Sequence, residues 1–297
     1  MTSDSAAPDP ADPVFISYRQ KDGTGVATAL AWLLRAAGIP VWQDRDDLPP
    51  GDTEARLKQA IAAGISGGVL VTTPDVVNSR VVKTLEAPRL LELHRDHEVF
   101  ALGIINSVKT DDGGADYDAP DRLLEIRPGT LSGVDQQSAE CDGLLSLIRG
   151  LVWHRIASLR KRIEATDPTF RLSLQTRNTP QVYDRTGDEL DIRLRPSDHE
   201  RLPSADGLRD LKDTIGLLPD AVTRSGARRL RVAGGAHLSV AFAVGAALPS
   251  SRIGHMDVID QQGATWASDG EARFIPQPEV QITDQGGYPS AITTGRP

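Results

Sequence analysis

The chain has 297 residues, long enough for two domains that each bury their own core, and its single cysteine, Cys141, excludes an internal disulfide and fits a reducing compartment. No Cys/His spacing suggests a zinc cage, and no apolar run reaches the roughly 20 residues needed to cross a bilayer, so a cytoplasmic protein with no membrane span is expected. With 33 basic against 41 acidic side chains and a net charge of -8, the molecule as a whole repels long nucleic acid, which is not an expected partner.

Met1–Asp12 is small, acidic and proline-containing, with neither a basic start nor an apolar run, and reads as a disordered tail, not a signal peptide. Val14–Tyr18 is a β-branched and aromatic run of the kind buried in a parallel sheet, and the polar stretch Arg19–Thr24 after it reads as a loop. Val26, Leu30, Leu33, Leu34 and Ala37 recur at helical spacing until Gly38 and Pro40 supply a stop. Ile39–Trp42 is again strand-like. It opens into the charged loop Gln43–Asp52, which ends at a helix cap, with Leu57, Ala60 and Ile61 on the buried stripe of the next helix. Gly68–Thr72 is a third strand, Leu85–Arg95 a third helical stretch and Phe100–Ile105 a fourth strand. This alternation predicts right-handed crossovers and a flavodoxin-like, doubly wound α/β fold around a parallel sheet. Lys109–Asp121 is acidic, Gly-rich and expected to be an exposed loop. Leu144–Ile163 reads as one helix, whose basic end Arg160-Lys161-Arg162 suits a helix C-terminus or a connection between domains. The expected division is a first domain at 13–149 and a helical linker at 150–167.

A second α/β unit, Rossmann-like, is expected over 168–297. Phe170–Gln175 alternates as a half-buried strand, and Leu190–Leu194 is another. Leu208, Leu211, Ile215 and Leu218 form a helical stripe, Arg229–Ala233 a strand, Leu238–Leu248 an apolar helix and Met256–Asp260 a last strand. From Glu271 onward the chain is rich in Pro and Gly, and only Val280-Gln281-Ile282 resembles a strand.

In an open parallel sheet, ligands sit beyond the carboxyl ends of the strands, so the loops after Tyr18, Trp42 and Thr72 are expected to converge. Four segments in order, Val14–Tyr18, Asp44–Gly51, Val69–Pro74 and Ser79-Arg80 leading to Glu86, resemble the successive boxes of a TIR domain, over about Pro13 to Arg95. Bacterial TIR domains of this type are NAD glycohydrolases, and the resemblance implies that the glutamate after the serine-led segment handles the ribose during nicotinamide loss. Glu86 fits that position. Loss of nicotinamide develops oxocarbenium character, which a nearby anion stabilises while it orients the ribose hydroxyls. Val81 and Val82 replace a tryptophan and cysteine frequent in the family, and Pro88 follows closely, so the register leaves Glu92 as the other candidate carboxylate. NAD+ is then the substrate, and no resident cofactor or metal is expected. Ser17, Tyr18 and Arg19 are candidates for contact with the dinucleotide, Trp42 for a wall of the cleft, and Asp44, Arg45, Asp46 and Asp47 for gating it or for contacts between TIR domains.

Arg228–Gly245 reads as strand, glycine turn and helix N-terminus, where free N–H groups and the helix dipole attract an anion. Its glycine spacing is not that of a dinucleotide fingerprint. With Gly245, the strand at Met256–Asp260, Gly263 and Trp266, the pattern resembles the SAVED domain, a relative of the CARF ligand sensors. The resemblance implies binding of a cyclic oligonucleotide, cyclic tri-adenylate first, made by a partner CD-NTase-type nucleotidyltransferase after phage infection. Gly234, Gly235, Ala236, His237 and Leu238 would touch the ring, with Arg177 and Asn178 facing it; for His237 an ordinary helix-cap role is the alternative. A SAVED domain has two CARF-like halves and the sequence shows one, so the unit is expected to be incomplete: either a shortened form, or one whose other half comes from another subunit. The resulting expectation is an antiviral NADase, activated as a homo-oligomer or filament by its ligand. A TIR adaptor without catalysis is the alternative.

Overall fold

The computed structural model describes residues 8–43, 64–166, 168–177, 187–199, 201–249, 251–260 and 262–268. The charged loop from Asp44, the helix expected around Leu57, Asn178 and the Val280 segment lie outside them.

Strand β1 (Val14–Ser17) is buried at all four positions. Helix α1 follows at once, Gln20–Ala36, so the polar stretch that reads as a loop is instead its first turn. That turn carries no apolar stripe because it lies at the sheet edge, and Asp22 suits the positive end of the helix dipole there. Gly38 ends the helix with φ +88, in the left-handed region that only glycine enters freely. Strands β2 (Val41–Gln43), β3 (Gly67–Thr72) and β4 (Ala101–Asn106) complete the expected set. Between β3 and β4 run a 3-10 turn (Pro74–Asn78), a π-helical turn (Val82–Glu86) and helix α2 (Ala87–Asp96). A short helix α3 (Ala119–Leu123) interrupts the acidic loop, and β5 (Asp135–Ser138) forms the far edge. No apolar pattern announces β5: its residues are Asp-Gln-Gln-Ser, paired in parallel with β4. The sheet order is β2-β1-β3-β4-β5, every pair parallel, which is the doubly wound arrangement expected.

Helix α4 (Cys141–Thr166) is continuous for 26 residues and leads into the second unit. There β6 (Thr169–Gln175), β7 (Leu190–Arg193), β8 (Arg229–Ala233), α7 (Leu238–Ala247) and β9 (His255–Ile259) follow the expected sequence of elements, while the single helical stripe expected over Leu208–Leu218 is divided into α5 (Ala205–Thr214) and α6 (Leu218–Arg224), and β10 (Thr265–Ala267) is an additional strand. Ser204 caps α5 by accepting from the Gly207 N–H at 3.0 Å. The order is β10-β9-β8-β6-β7, parallel except for β10, which pairs antiparallel with β9. The chain is thus one α/β unit followed by a second.

The two units share a single core. Val14, Ile16 and Val69 from the first sheet, Leu30 and Leu34 from α1, Leu147, Ile148 and Leu151 from α4, and Phe170, Leu172, Leu190 and Leu230 from the second sheet belong to one continuous apolar cluster. Phe15, Leu70, Leu90, Phe100 and Ile104 form a separate core on the other face of the first sheet. The joint is also polar. The Asp191 N–H donates to the Gly38 carbonyl at 2.8 Å, and a Cβ at residue 38 would come within 2.7 Å of the Leu190 Cβ. Arg155 on α4 is buried and gives hydrogen bonds to the carbonyls of Pro10, Ala11, Asp12 and Glu189 at 2.6 to 2.9 Å. That burial pulls its guanidinium down to about 10, still charged at neutral pH.

Candidate functional site

Ser17 ends β1 on the face that packs against α2, since Phe15 two residues earlier belongs to that core. Its hydroxyl donates to Glu86 Oε2 at 2.5 Å, and the pair is buried, Glu86 being 6% exposed. Glu86 reaches this place because it closes the π-helical turn, in which the Ala87 N–H bonds to the Val82 carbonyl five residues back. Pro88 explains the wide turn. It has no N–H to give to Thr84, and its ring crowds that carbonyl, so the helix opens there by one residue. Ser79 sits at the start of the helical segment, its Oγ 3.4 Å from the Val82 N–H. Glu92, the other candidate, is on the outer face of α2 and pairs with Arg89 at the surface. The Thr72 hydroxyl, at the end of β3 and on the same face as Leu70 and Ser17, is buried without a hydrogen-bond partner.

Tyr18 is in the core beside α1, where a Cβ on Gly23 would touch it at 3.3 Å, so it packs instead of lying open at the edge. Trp42 is half-buried against the α2-side core. Arg19 is the residue before α1 and donates from Nε to Asp75 Oδ2 at 2.7 Å, with Lys21 Nζ 3.2 Å from the same oxygen. The Asn78 amide donates to Asp75 Oδ1 at 2.6 Å. Hydrogen bonds from Asn78 first, then Lys21, hold the Asp75 carboxyl below its usual range. Asp22 joins the two loops from the other side, accepting from Thr73 Oγ1 at 2.8 Å and from the Asp75 N–H at 3.0 Å. Sequence reasoning missed Asp22, Thr73 and Asp75. A Thr-Pro-Asp run directly after a buried strand was the available signal, since it starts a helical turn with its carboxylate near the strand's end. Asp44, Arg45, Asp46 and Asp47 lie outside the described residues.

The second candidate site is at the carboxyl ends of β6 and β8. Gly234 has φ +114, and a Cβ there would stand 2.6 Å from the Leu174 carbonyl, so the turn requires glycine. The Gly235 carbonyl accepts from the N–H groups of Thr176 at 3.0 Å and Arg177 at 2.9 Å, which joins the two loops. Ala236 is half-buried in this turn. His237 is the residue before α7, but its ring does not cap the helix. It is buried, with Nδ1 3.1 Å from Thr176 Oγ1, and that same oxygen accepts from the His237 N–H at 2.9 Å. The first turn of α7 therefore has no side-chain cap, and Arg177, on the loop joined to it, is exposed. Leu238 is 86% exposed and Phe242 78%. Asn178 lies outside the described residues.

A small cavity lies at the opposite, amino edge of the first sheet, lined by Val14, Ile39, Ala101, Leu151 and Arg155 among others. Arg155 is committed there to backbone carbonyls, which makes that cavity part of the joint between units. Among the described residues no helix is long and apolar enough to cross a membrane.

Comparison with known proteins adds a family. The TIR domain model matches residues 14–113. No curated protein matches the chain significantly. Among solved structures, a metazoan TIR-STING receptor from C. gigas in complex with 2',3'-cGAMP is 15% identical at a TM-score of 0.35, over 58% of this chain and 59% of that one. The Acinetobacter baumannii Cap4 SAVED/CARF-domain containing receptor is 10% identical at a TM-score of 0.27, over 86% of this chain and 74% of that one. The chain thus spans about 59% of the length of the TIR-STING receptor, and both likenesses are too slight to bear on ligand or activity. The family match and the five-stranded parallel sheet agree, and residues 14–113 carry a TIR domain.

Proposed function

We propose that the chain is an NAD+ glycohydrolase switched on by a cyclic oligonucleotide, with cyclic tri-adenylate as the first candidate. The observation that carries the catalytic half is the buried Ser17–Glu86 hydrogen bond at the carboxyl edge of the TIR sheet, which fixes a carboxylate where a ligand of such a sheet sits. In the proposed reaction the bond between ribose C1′ and the nicotinamide nitrogen breaks, and nicotinamide leaves with the bonding pair. Glu86 stabilises the positive charge that grows on the ribose, and water adds at C1′ to give ADP-ribose and a proton. An internal nucleophile in place of water would give the cyclised product.

The sensing half rests on the uncapped N-terminus of α7 behind the Gly234 turn, with Arg177 on the adjoining loop. A ligand bridging the sensing units of two chains would assemble and activate them together. The proposal places the protein in the cytoplasm, as an antiviral effector paired with a nucleotidyltransferase that makes the ring. A fluorescent NAD+ analogue tests it, mixed with the full chain and a panel of cyclic di-, tri- and tetranucleotides while light scattering follows assembly. One activator is expected to raise both signals, and Glu86→Gln to keep the scattering while losing turnover. Turnover that survives in Glu86→Gln would remove this carboxylate from the chemistry. An assembly without turnover in the unmodified chain would favour a TIR adaptor.

A further inference from the structure

Asp75 is held at the TIR edge by two different sets of groups. Its backbone N–H ties the 3-10 turn to Asp22 of α1, while its side chain takes Asn78 on one oxygen and both Arg19 and Lys21 on the other. The backbone tie holds the loops together without needing the charge. The charge serves the two cations. Arg19 lies just past β1, two residues after Ser17, at the same carboxyl edge of the sheet as the Ser17–Glu86 pair. A planar guanidinium beside an ammonium suits a phosphate oxygen at least as well as it suits a carboxylate.

We propose that Asp75 is a built-in competitor for the pyrophosphate of a dinucleotide substrate, occupying Arg19 and Lys21 in the resting chain and so raising the substrate concentration needed for turnover. The inference rests on the dinucleotide reading of the Glu86 site and adds a control on substrate affinity to it. Productive binding exchanges one anion for another: the phosphate takes Arg19, and the Asp75 carboxylate keeps Asn78. Since Arg19 and Asp75 are each about one-quarter exposed, the exchange is modest in size and reversible.

The test uses the full chain in a Glu86→Gln background, so that NAD+ is bound and not consumed, titrated calorimetrically with and without cyclic tri-adenylate. Adding Asp75→Asn is expected to tighten NAD+ binding about fivefold. Asp75→Ser, which removes the charge in a different shape, is expected to do the same. The gain must also vanish when Arg19→Gln is present, because the competition acts through that guanidinium. In the catalytically intact chain the counterpart is a lower KM at unchanged kcat. Equal affinity with and without Asp75, or a gain that survives Arg19→Gln, would overturn the inference and leave the dinucleotide reading standing. Failure of the Glu86→Gln chain to bind NAD+ under either condition would overturn both.

Discussion

Ser17 and Glu86 are 69 positions apart in the chain and meet through one buried hydrogen bond. Removing that donor takes away a hydrogen bond that fixes where the Glu86 carboxylate sits. Ser17→Ala is therefore expected to lower kcat roughly tenfold to a hundredfold with little change in KM, and Ser17→Thr, which keeps the hydroxyl, to restore the larger part; steady-state kinetics on the activated chain would check this. A KM that rises at constant kcat would instead make Ser17 a substrate contact. The register of the glutamate was legible in sequence only as far as the serine-led segment, which allowed Glu86 and Glu92. Burial separates them, because Glu92 faces solvent with Arg89 and Glu86 faces Ser17. Tyr18 shows the opposite limit. Its place at the end of a strand suggested contact with the dinucleotide, but the side chain is buried in the core beside α1, its Cβ close against Gly23.

At the scale of elements, strands with β-branched runs and helices with apolar stripes were readable, and those without either were not. β5 is polar throughout, and β10 carries only three residues, so backbone pairing defines both. The first turn of α1 was hidden because its side chains serve the loop network and not the core. The π-helical turn was not legible as such, although its cause was: Pro88 sits one turn after the residue whose carbonyl it deprives of a donor. Replacing it tests the link between backbone shape and chemistry. Pro88→Ala is expected to let the turn relax toward a regular α-helix, which rotates Glu86 away from Ser17. The expected result is a melting temperature unchanged or higher with turnover reduced at least tenfold, seen by thermal unfolding beside the NAD+ assay. In the second unit, Gly234→Ala forces a Cβ against the Leu174 carbonyl and a side chain into the left-handed region. It is expected to cost about 1–3 kcal/mol by urea unfolding and to abolish activation by the ring nucleotide.

For the molecule as a whole, the division between two units holds for their sheets but not for their cores. The sequence suggested a boundary near residue 149, yet α4 runs unbroken through it, and Leu147, Leu151 and Ile156 on that helix share one cluster with both sheets. Arg155 fastens the same joint. Arg155→Leu leaves buried carbonyls of Pro10, Ala11, Asp12 and Glu189 without their donor, and is expected to destabilise the full chain by about 3–5 kcal/mol in urea unfolding. Arg155→Lys is not expected to rescue it, since an ammonium cannot present donors along the same plane. Acid acts elsewhere. Asp75, Asp116 and Asp260 are held below their usual range, the first mainly by Asn78, the second by Arg122 and the third by Trp266. Because these carboxylates are depressed in the folded chain, their contribution is complete above about pH 4 and fades as pH falls through their folded values. Urea midpoints are expected to be flat from about pH 6 to pH 5 and to drop below about pH 4.

Helix α1 begins just after Arg19 beside the candidate catalytic edge and ends near Gly38, whose carbonyl is bonded to β7 of the second sheet. Its 17 residues span about 26 Å as a stiff rod. A shift of about one or two ångströms where β7 docks would therefore also displace the Arg19 end, since one helix carries both.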